Sequence, residues 1–346
     1  MTNLVLTFAI GLLCGYVFYK IKVPGGMMVG AIVGVALFNI FFDMAYMPSY
    51  AKYTAQILAG AYIGCSVQKE DIRRIKKLIK PSLVLVLGML ITNIFIGFIV
   101  YLISPLDLIT ALMSCVPGGM TEIPIISADM GADMPKVAVL QFIRMLSCIG
   151  LLPSIISHIG NKNYDTENKT VVLSQERKKS VDIKKFIFTI AIAVSGGMVG
   201  KILAIPAGIL LFSMIGTIYI NIFLNKSYMP LWAKRLAQVL SGAFIGCSID
   251  YKNVLELKYI IIPSIIIVLG YFINCFVVGK ILNKAFKIPI KESMLAATPA
   301  GATDMALISS DIGVYSTDLV VLQIVRLITV ISIFPQVIYF ISRWFN

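Results

Sequence analysis

The chain has 346 residues, 58% hydrophobic and 14% charged, with a mean hydropathy of +0.90 and a formal charge of +13. A soluble domain carries roughly 25% charged residues, so this composition excludes an ordinary soluble enzyme and points to a polytopic helical membrane protein. Nucleic-acid binding does not follow from the positive charge, because the lysines and arginines lie in short loops between apolar runs, as cytoplasmic loops require, with no recognisable nucleic-acid module.

In chain order, the first apolar run covers 4–20. No basic segment precedes it, and Lys20 and Lys22 follow it, so it reads as a retained first helix. Runs at 25–42 and 50–67 come next. The loop Gln68 to Lys80, "QKEDIRRIKKLIK", holds six basic residues, and Ile72, Ile75 and Ile79 also suit it to an interfacial helix. A run at 81–103 carries the polar residues Thr92 and Asn93. An interrupted stretch at 107–131 contains "CVPGGMTE", and a run at 135–159 closes the unit.

The unit then repeats at an offset of 182 positions without a gap. "YMPSYAKYTAQILAGAYIGCS" at Tyr46 to Ser66 returns as "YMPLWAKRLAQVLSGAFIGCS" at Tyr228 to Ser248. Pro24 matches Pro206, Pro81 matches Pro263, and Gly88 matches Gly270. The second set of runs covers 186–202, 207–224, 232–249, 260–282 and 317–341, with an interrupted stretch at 289–313 holding "ATPAGATD". The expected fold class is all-α and polytopic, with two inverted-topology repeats. Each has five transmembrane helices plus one interrupted helix, re-entrant or broken. The expected division is 1–160 for repeat 1, 161–185 for a basic linker and 186–346 for repeat 2.

Loop charge carries the orientation. Gln68 to Lys80 and the seven-base linker both favour the cytoplasm, so an even number of crossings separates them. The runs at 81–103 and 135–159 supply two, and the interrupted stretch must enter and leave on one side. The N-terminus is then outside. Equivalent loops of the two units carry opposite charge bias, the mark of an inverted repeat.

Non-helical backbone survives at membrane depth only within protein or against a wet cavity. Pro117 removes an amide and pushes Val116 out of the α region, while Gly118 and Gly119 permit a sharp turn and Thr121 is placed to cap the following half-helix. Free amides at such a tip favour an anion, and exposed carbonyls favour a cation. The expected solute- or ion-binding residues are therefore Pro117, Gly118, Gly119, Thr121, Glu122, Gln141 and Arg144. Their mates are Pro299, Gly301, Thr303, Asp304, Gln323 and Arg326. Intramembrane charges are costly and usually functional. Arg144 and Arg326 read either as partners of the adjacent carboxylates or as contacts for a substrate anion. Asp129 and Asp311 read as boundary acids. Gln56 and Gln238 lie on helices whose small residues suit them to close packing.

No catalytic residue, metal ligand or cofactor is expected. His158 is the single histidine, and the six cysteines form no Cys-x-x-Cys pair and read as small buried hydrophobes. The expected partners are membrane lipid and a small solute with H⁺ or Na⁺, together with a second copy as a homodimer, and no direct nucleic-acid contact.

The duplicated unit, "CVPGGMTEI" with "ATPAGATDMAL", and the downstream Gln-x-x-Arg resemble the AbrB membrane-protein family over essentially the whole chain. This is the internally duplicated integral-membrane family, not the soluble DNA-binding regulator of similar name. The resemblance implies a fold like the cation–proton-antiporter and bile-acid-symporter superfold. It also brings two functional labels, regulator of gene expression and ammonia monooxygenase. A monooxygenase needs copper or iron ligands, which this sequence supplies poorly. A secondary transporter in the cell membrane is the leading expectation, and a membrane-embedded regulator or sensor the alternative. The second unit departs by Ala300 for the first glycine and Asp304 for the glutamate.

Overall fold

The computed structural model describes residues 2–158, 182–299 and 316–345, and the elements it forms there are all helical. The first unit gives α1 (Thr2–Lys20), α2 (Gly26–Phe42), α3 (Ser49–Ser66), α4 (Lys69–Ile103), α5 (Leu108–Ser114), α6 (Ile123–Asp129) and α7 (Met134–His158). The second gives α8 (Ile183–Ile202), α9 (Gly208–Tyr219), α10 (Leu231–Gly246), α11 (Tyr251–Glu256), α12 (Ile261–Phe286), α13 (Ile290–Ala297) and α14 (Thr317–Phe345). Among the described residues six helices are long and apolar enough to cross a membrane, and the chain is a multi-pass membrane protein. A helix pairs its amides internally, which hydrocarbon demands.

The basic segment after α3 is not a separate loop. It is the first third of the 35-residue α4, which runs unbroken through Pro81. Gln68 and Asp71 close a capping box at its start. In the second unit the equivalent chain divides into α11, a 3-10 turn at Leu257–Ile260, and α12, with Pro263 in the first turn of α12, where a missing amide costs nothing.

The duplication extends to the backbone. Left-handed residues recur at the same offset: Lys22 with Ala204, Gly25 with Ala207, and Asp43 with Asn225. Long-range hydrogen bonds recur as well. Asn39 donates to the carbonyls of Cys247 and Ile249, and Asn221 donates to those of Cys65 and Val67. Each unit therefore closes the end of the other's third helix.

Two groups of helices result. In the first, α1 and α2 pack on α10, and α8 and α9 pack on α3. In the second, α4 and α12 cross, with the short helices α5, α6 and α13 and the long α7 and α14 around them. Small residues bring the backbones together, the main source of helix association where hydrophobicity gives no preference. A Cβ on Gly60 would lie 2.6 Å from the Leu210 carbonyl oxygen, and one on its mate Gly242 would lie 2.5 Å from that of Met28. At the central crossing, a Cβ on Gly88 would lie 2.6 Å from Val278, and one on Gly270 would collide with Ile96. Between these contacts the hydroxyl of Thr92 donates to Asn274 Oδ1 over 2.8 Å, and these two residues are themselves mates. The index rises along α4 as it falls along α12, so the mates run antiparallel around Thr92.

Gly242→Val should lower the melting temperature of the detergent-purified protein, through overpacking of about 1–3 kcal/mol. A Cβ on Gly150 meets nothing within 4 Å, so Gly150→Ala should melt with the parent. Equal melting of all three proteins would contradict backbone contact at Gly242.

Candidate functional site

The first break begins where α5 ends. Asp107 caps α5 by accepting from the Thr110 amide over 3.0 Å. Helix propagation stops at Ser114, three residues before Pro117. The chain then turns tightly, with the Gly118 amide on the Val116 carbonyl at 2.8 Å and the Ile123 amide on that of Gly119 at 3.1 Å. α6 follows, with Pro124 in its first turn. After α6 the chain returns to the level of the start of α5, where the Asp133 amide donates to Thr110 Oγ1 over 2.8 Å. In the second unit Ser316 donates to Glu292, which closes the entry of α13 against the start of α14 in the same manner.

The depth of the break follows from its neighbours. Asn93, next to the crossing residue Thr92, donates to the Leu112 carbonyl over 3.0 Å. The end of α5 therefore lies within a turn of the point where α4 meets α12. Carbonyls at that depth have no water, and each left unpaired costs several kcal/mol.

Side chains of α7 and α12 supply the donors. Gln141 Nε2 reaches three carbonyls, of Met113 at 3.1 Å, Ser114 at 3.2 Å and Val116 at 3.0 Å. Arg144, one turn further along α7, donates to Val116 and, over 3.0 Å, to Gly118. The Tyr271 hydroxyl from α12 donates to Cys115, and its ring lies 5.7 Å from the Arg144 guanidinium. Gln141, Arg144 and Tyr271 are all buried. The negative end of α5 and its orphan carbonyls are thus met by a guanidinium, which offers five donors and a fixed positive charge.

Among the described residues the second break repeats part of this arrangement. Gln323 donates to the Leu295 carbonyl over 2.7 Å, and Arg326 donates to those of Ala296, at 3.2 Å, and Thr298. Cys275, at the position of Asn93, reaches the Met294 carbonyl at 3.2 Å. Met89 stands where Tyr271 stands in the other unit and has no hydroxyl to offer. Pro299 is buried at the edge of the break. Gly301, Thr303 and Asp304, with Ala300 and Asp311, lie outside the described residues.

Three expectations change. The arginine–carboxylate pair is not formed at the first break: Arg144 is held by carbonyls and makes no ion pair among the described residues. Thr121 does not cap α6; Glu122 occupies that position without a side-chain capping bond. Glu122 instead folds back over Gly119, where a Cβ would collide with Oε2. Asp129 is no isolated boundary acid: it accepts from Lys52 and Gln56 of α3, each over 2.6 Å. The amides of Gly119, Met120 and Thr121 have no backbone acceptor among the described residues.

Lys52, Lys234 and Tyr271 were not singled out from the sequence. A Lys-x-x-x-Gln repeat at 52/56 and 234/238 was visible in the duplicated segment and marks two of them.

Comparison with known proteins agrees with this architecture. The family described as "Transition state regulatory protein AbrB" matches twice, over residues 1–160 and 149–342. The chain belongs to the AbrB membrane-protein family, with the domain present in two copies. It is 23% identical over 337 residues to the Escherichia coli (strain K12) protein named "Putative regulator AbrB", an alignment covering 97% of this chain and 95% of that one. It is 25% identical over 249 residues to the Bacillus subtilis (strain 168) protein YhjN, covering 69% of this chain and 65% of the relative.

Gln141 serves three carbonyls and Gln323 one, so the two replacements should differ in cost. A buried acceptor left unpaired costs about 1–3 kcal/mol. Gln141→Leu should therefore depress the melting temperature clearly more than Gln323→Leu. Equal depression in thermal melts would mean that the carbonyls find other donors.

Proposed function

We propose, from membership of this family and from the two clamped breaks, that the chain is a secondary transporter for a small polar or anionic solute. The carrying observation is the pair of equivalent helix breaks on either side of the antiparallel α4–α12 crossing, each held open by a buried Gln-x-x-Arg clamp. A single proline kink frees only the carbonyls facing the missing amide, whereas the first break leaves those of Met113, Ser114, Cys115, Val116 and Gly118 to side-chain donors. Glu122 and the adjacent amides form the open part of the first break, while the carbonyl part is filled by the clamp.

That division bears on the coupling ion. A bound Na⁺ needs several oxygen ligands, and the carbonyls that would supply them at the first break are occupied by Gln141, Arg144 and Tyr271. H⁺, exchanged at Glu122, is the better-supported coupling ion. The reading assigns no catalytic step to the chain.

The membrane arrangement in this proposal is two inverted repeats, each with five crossings and one re-entrant stretch. The return of the chain to Thr110 after α6, and of Ser316 to Glu292, supports entry and exit on one side. The antiparallel register of α4 and α12 supports the inversion. With the basic start of α4 and the 161–185 linker in the cytoplasm, the N-terminus is outside.

A second reading, a membrane-embedded regulator or sensor, is favoured by the printed name of the E. coli relative. It would use the same pocket to report on a solute through the linker. Scrambling residues 161–185 separates the two: a transporter keeps its flux, and a regulator loses its output with ligand binding intact.

Two measurements test the main reading. Ser104→Cys and Asp133→Cys should react with an impermeant maleimide from the same face of sealed vesicles; reaction from opposite faces would overturn the re-entrant arrangement. A thermal-shift screen of small carboxylates, amino acids and other polar metabolites on the purified protein should find a compound that raises the melting temperature by mass action. Counterflow of that compound in reconstituted vesicles should be abolished by Gly119→Leu, which would drive Glu122 from its position. Binding without counterflow would favour the sensor.

A further inference from the structure

The two helix groups meet at a charged contact outside the clamped breaks. Lys52 Nζ, four residues into α3, lies 2.6 Å from Asp129 Oδ1 at the end of α6. Gln56, one turn along α3, donates to the other carboxylate oxygen of Asp129, also over 2.6 Å, and is itself buried. The side chains of Lys52 and Asp129 are 12% and 22% exposed. This contact ties α3 of the first group to α6 of the second. By contrast, the Arg74–Asp318 and Lys136–Glu256 pairs each join elements at the edge of the second group.

The burial of Lys52 makes the contact unusual. Its ammonium lies 5.7 Å from the Phe244 ring of α10, and its mate Lys234 lies 5.0 Å from the Tyr62 ring of α3. These two contacts are related by the same offset, so α3 and α10 run antiparallel, with a midpoint five residues, about 7.5 Å, from each lysine. A lysine in a membrane protein ordinarily stretches its ammonium toward water or the headgroups. Lys52 is paired with Asp129 instead.

α6 is a seven-residue helix, about 10 Å long. Asp129 is at one end. Glu122 and the open amides from Gly119 to Thr121 are at the other. We propose that Lys52 is the positioning residue of the first break: its ion pair with Asp129, braced by Gln56, fixes α6 against the first helix group and so sets the depth of Glu122. Lys52 touches no solute in this scheme. Any shift of one helix group along the other must break or carry this pair. The scheme concerns the placement of α6 alone and stands or falls separately from solute transport.

The test reads that placement directly. Thr121→Cys is introduced into the full chain, and its reaction rate with a charged maleimide is measured after subtracting the six native cysteines of the parent. Lys52→Gln and Asp129→Asn should each change the rate by about tenfold, between the effects expected of an exposed and a fully buried pair. Lys52→Arg should restore the parental rate. The double variant should change it no more than either single one, because the two act through one contact. Arg74→Gln, which breaks a pair within the second group, should leave the rate unchanged. An unchanged rate in Lys52→Gln overturns the proposal, and so does an equal change in Arg74→Gln. If Lys52→Gln does not fold, Lys52→Arg decides: the parental rate supports positioning by the charge, and an altered rate overturns it.

Discussion

A helix that stops inside hydrocarbon leaves carbonyls that nothing outside the protein can satisfy, and the second helix group is arranged around that constraint. α5 and α13 both stop at depth because a proline follows. Their terminal carbonyls carry partial negative charge and lie beyond the reach of water. α7 and α14 answer with Gln141 and Arg144, and with Gln323 and Arg326. Burying a guanidinium is itself costly unless it is paired and hydrogen-bonded. Here two unfavourable groups relieve each other: the arginine is buried because the carbonyls are present, and the carbonyls are tolerated because the arginine is buried. Each long helix is therefore bound to a short one, and the glycines at the α4–α12 crossing bring the two assemblies together.

The crossing also explains why the repeat tolerates so little drift in its small residues and so much elsewhere. Contacts between mates are made twice, so each glycine serves one copy of an interface whose other copy is set by its mate. Gly60 and Gly242 face carbonyl oxygens of the opposite unit in the same way. At the centre, Thr92 and Asn274 are mates that bond to each other. A side chain on the pseudo-axis meets its own equivalent, and here the hydroxyl of one unit donates to the amide oxygen of the other.

Much of this was legible in the sequence. The offset of 182 made the duplication and its all-helical character legible, because apolar periodicity and proline positions are local properties repeated in one chain. The breaks were legible for the same reason: Pro117 and Gly118-Gly119 act on their own backbone. The continuity of α4 was not, since charge marks where a helix leaves the membrane and not where it ends; the lysines and arginines of 68–80 sit on good helical backbone. The partner of Arg144 was not legible either. The sequence offered carboxylates as visible acceptors and hid the carbonyls, which every residue possesses and only a broken helix exposes. Lys52 and Asp129 are far apart in the chain, and only the folded arrangement of the helices brings their side chains together.

The two breaks are not equivalent, and their differences run in one direction. The first has Gly118 where the second has Ala300, Glu122 where it has Asp304, and Asn93 where it has Cys275. Tyr271 closes the Cys115 carbonyl of the first break from across the pseudo-axis, while Met89 offers nothing in return. Gln141 engages three carbonyls and Gln323 one. A thioether and a thiol bind their neighbours more weakly and deform more readily than a phenol and an amide. The first break is thus pinned by directional donors on the clamp side and by the Lys52–Asp129 pair at the far end of α6. Among the described residues of the second, Met89 and Cys275 stand at the positions of Tyr271 and Asn93. The described donors therefore gather on the clamp side of the first break, where a phenol and an amide take carbonyls at positions that the second unit fills with a thioether and a thiol.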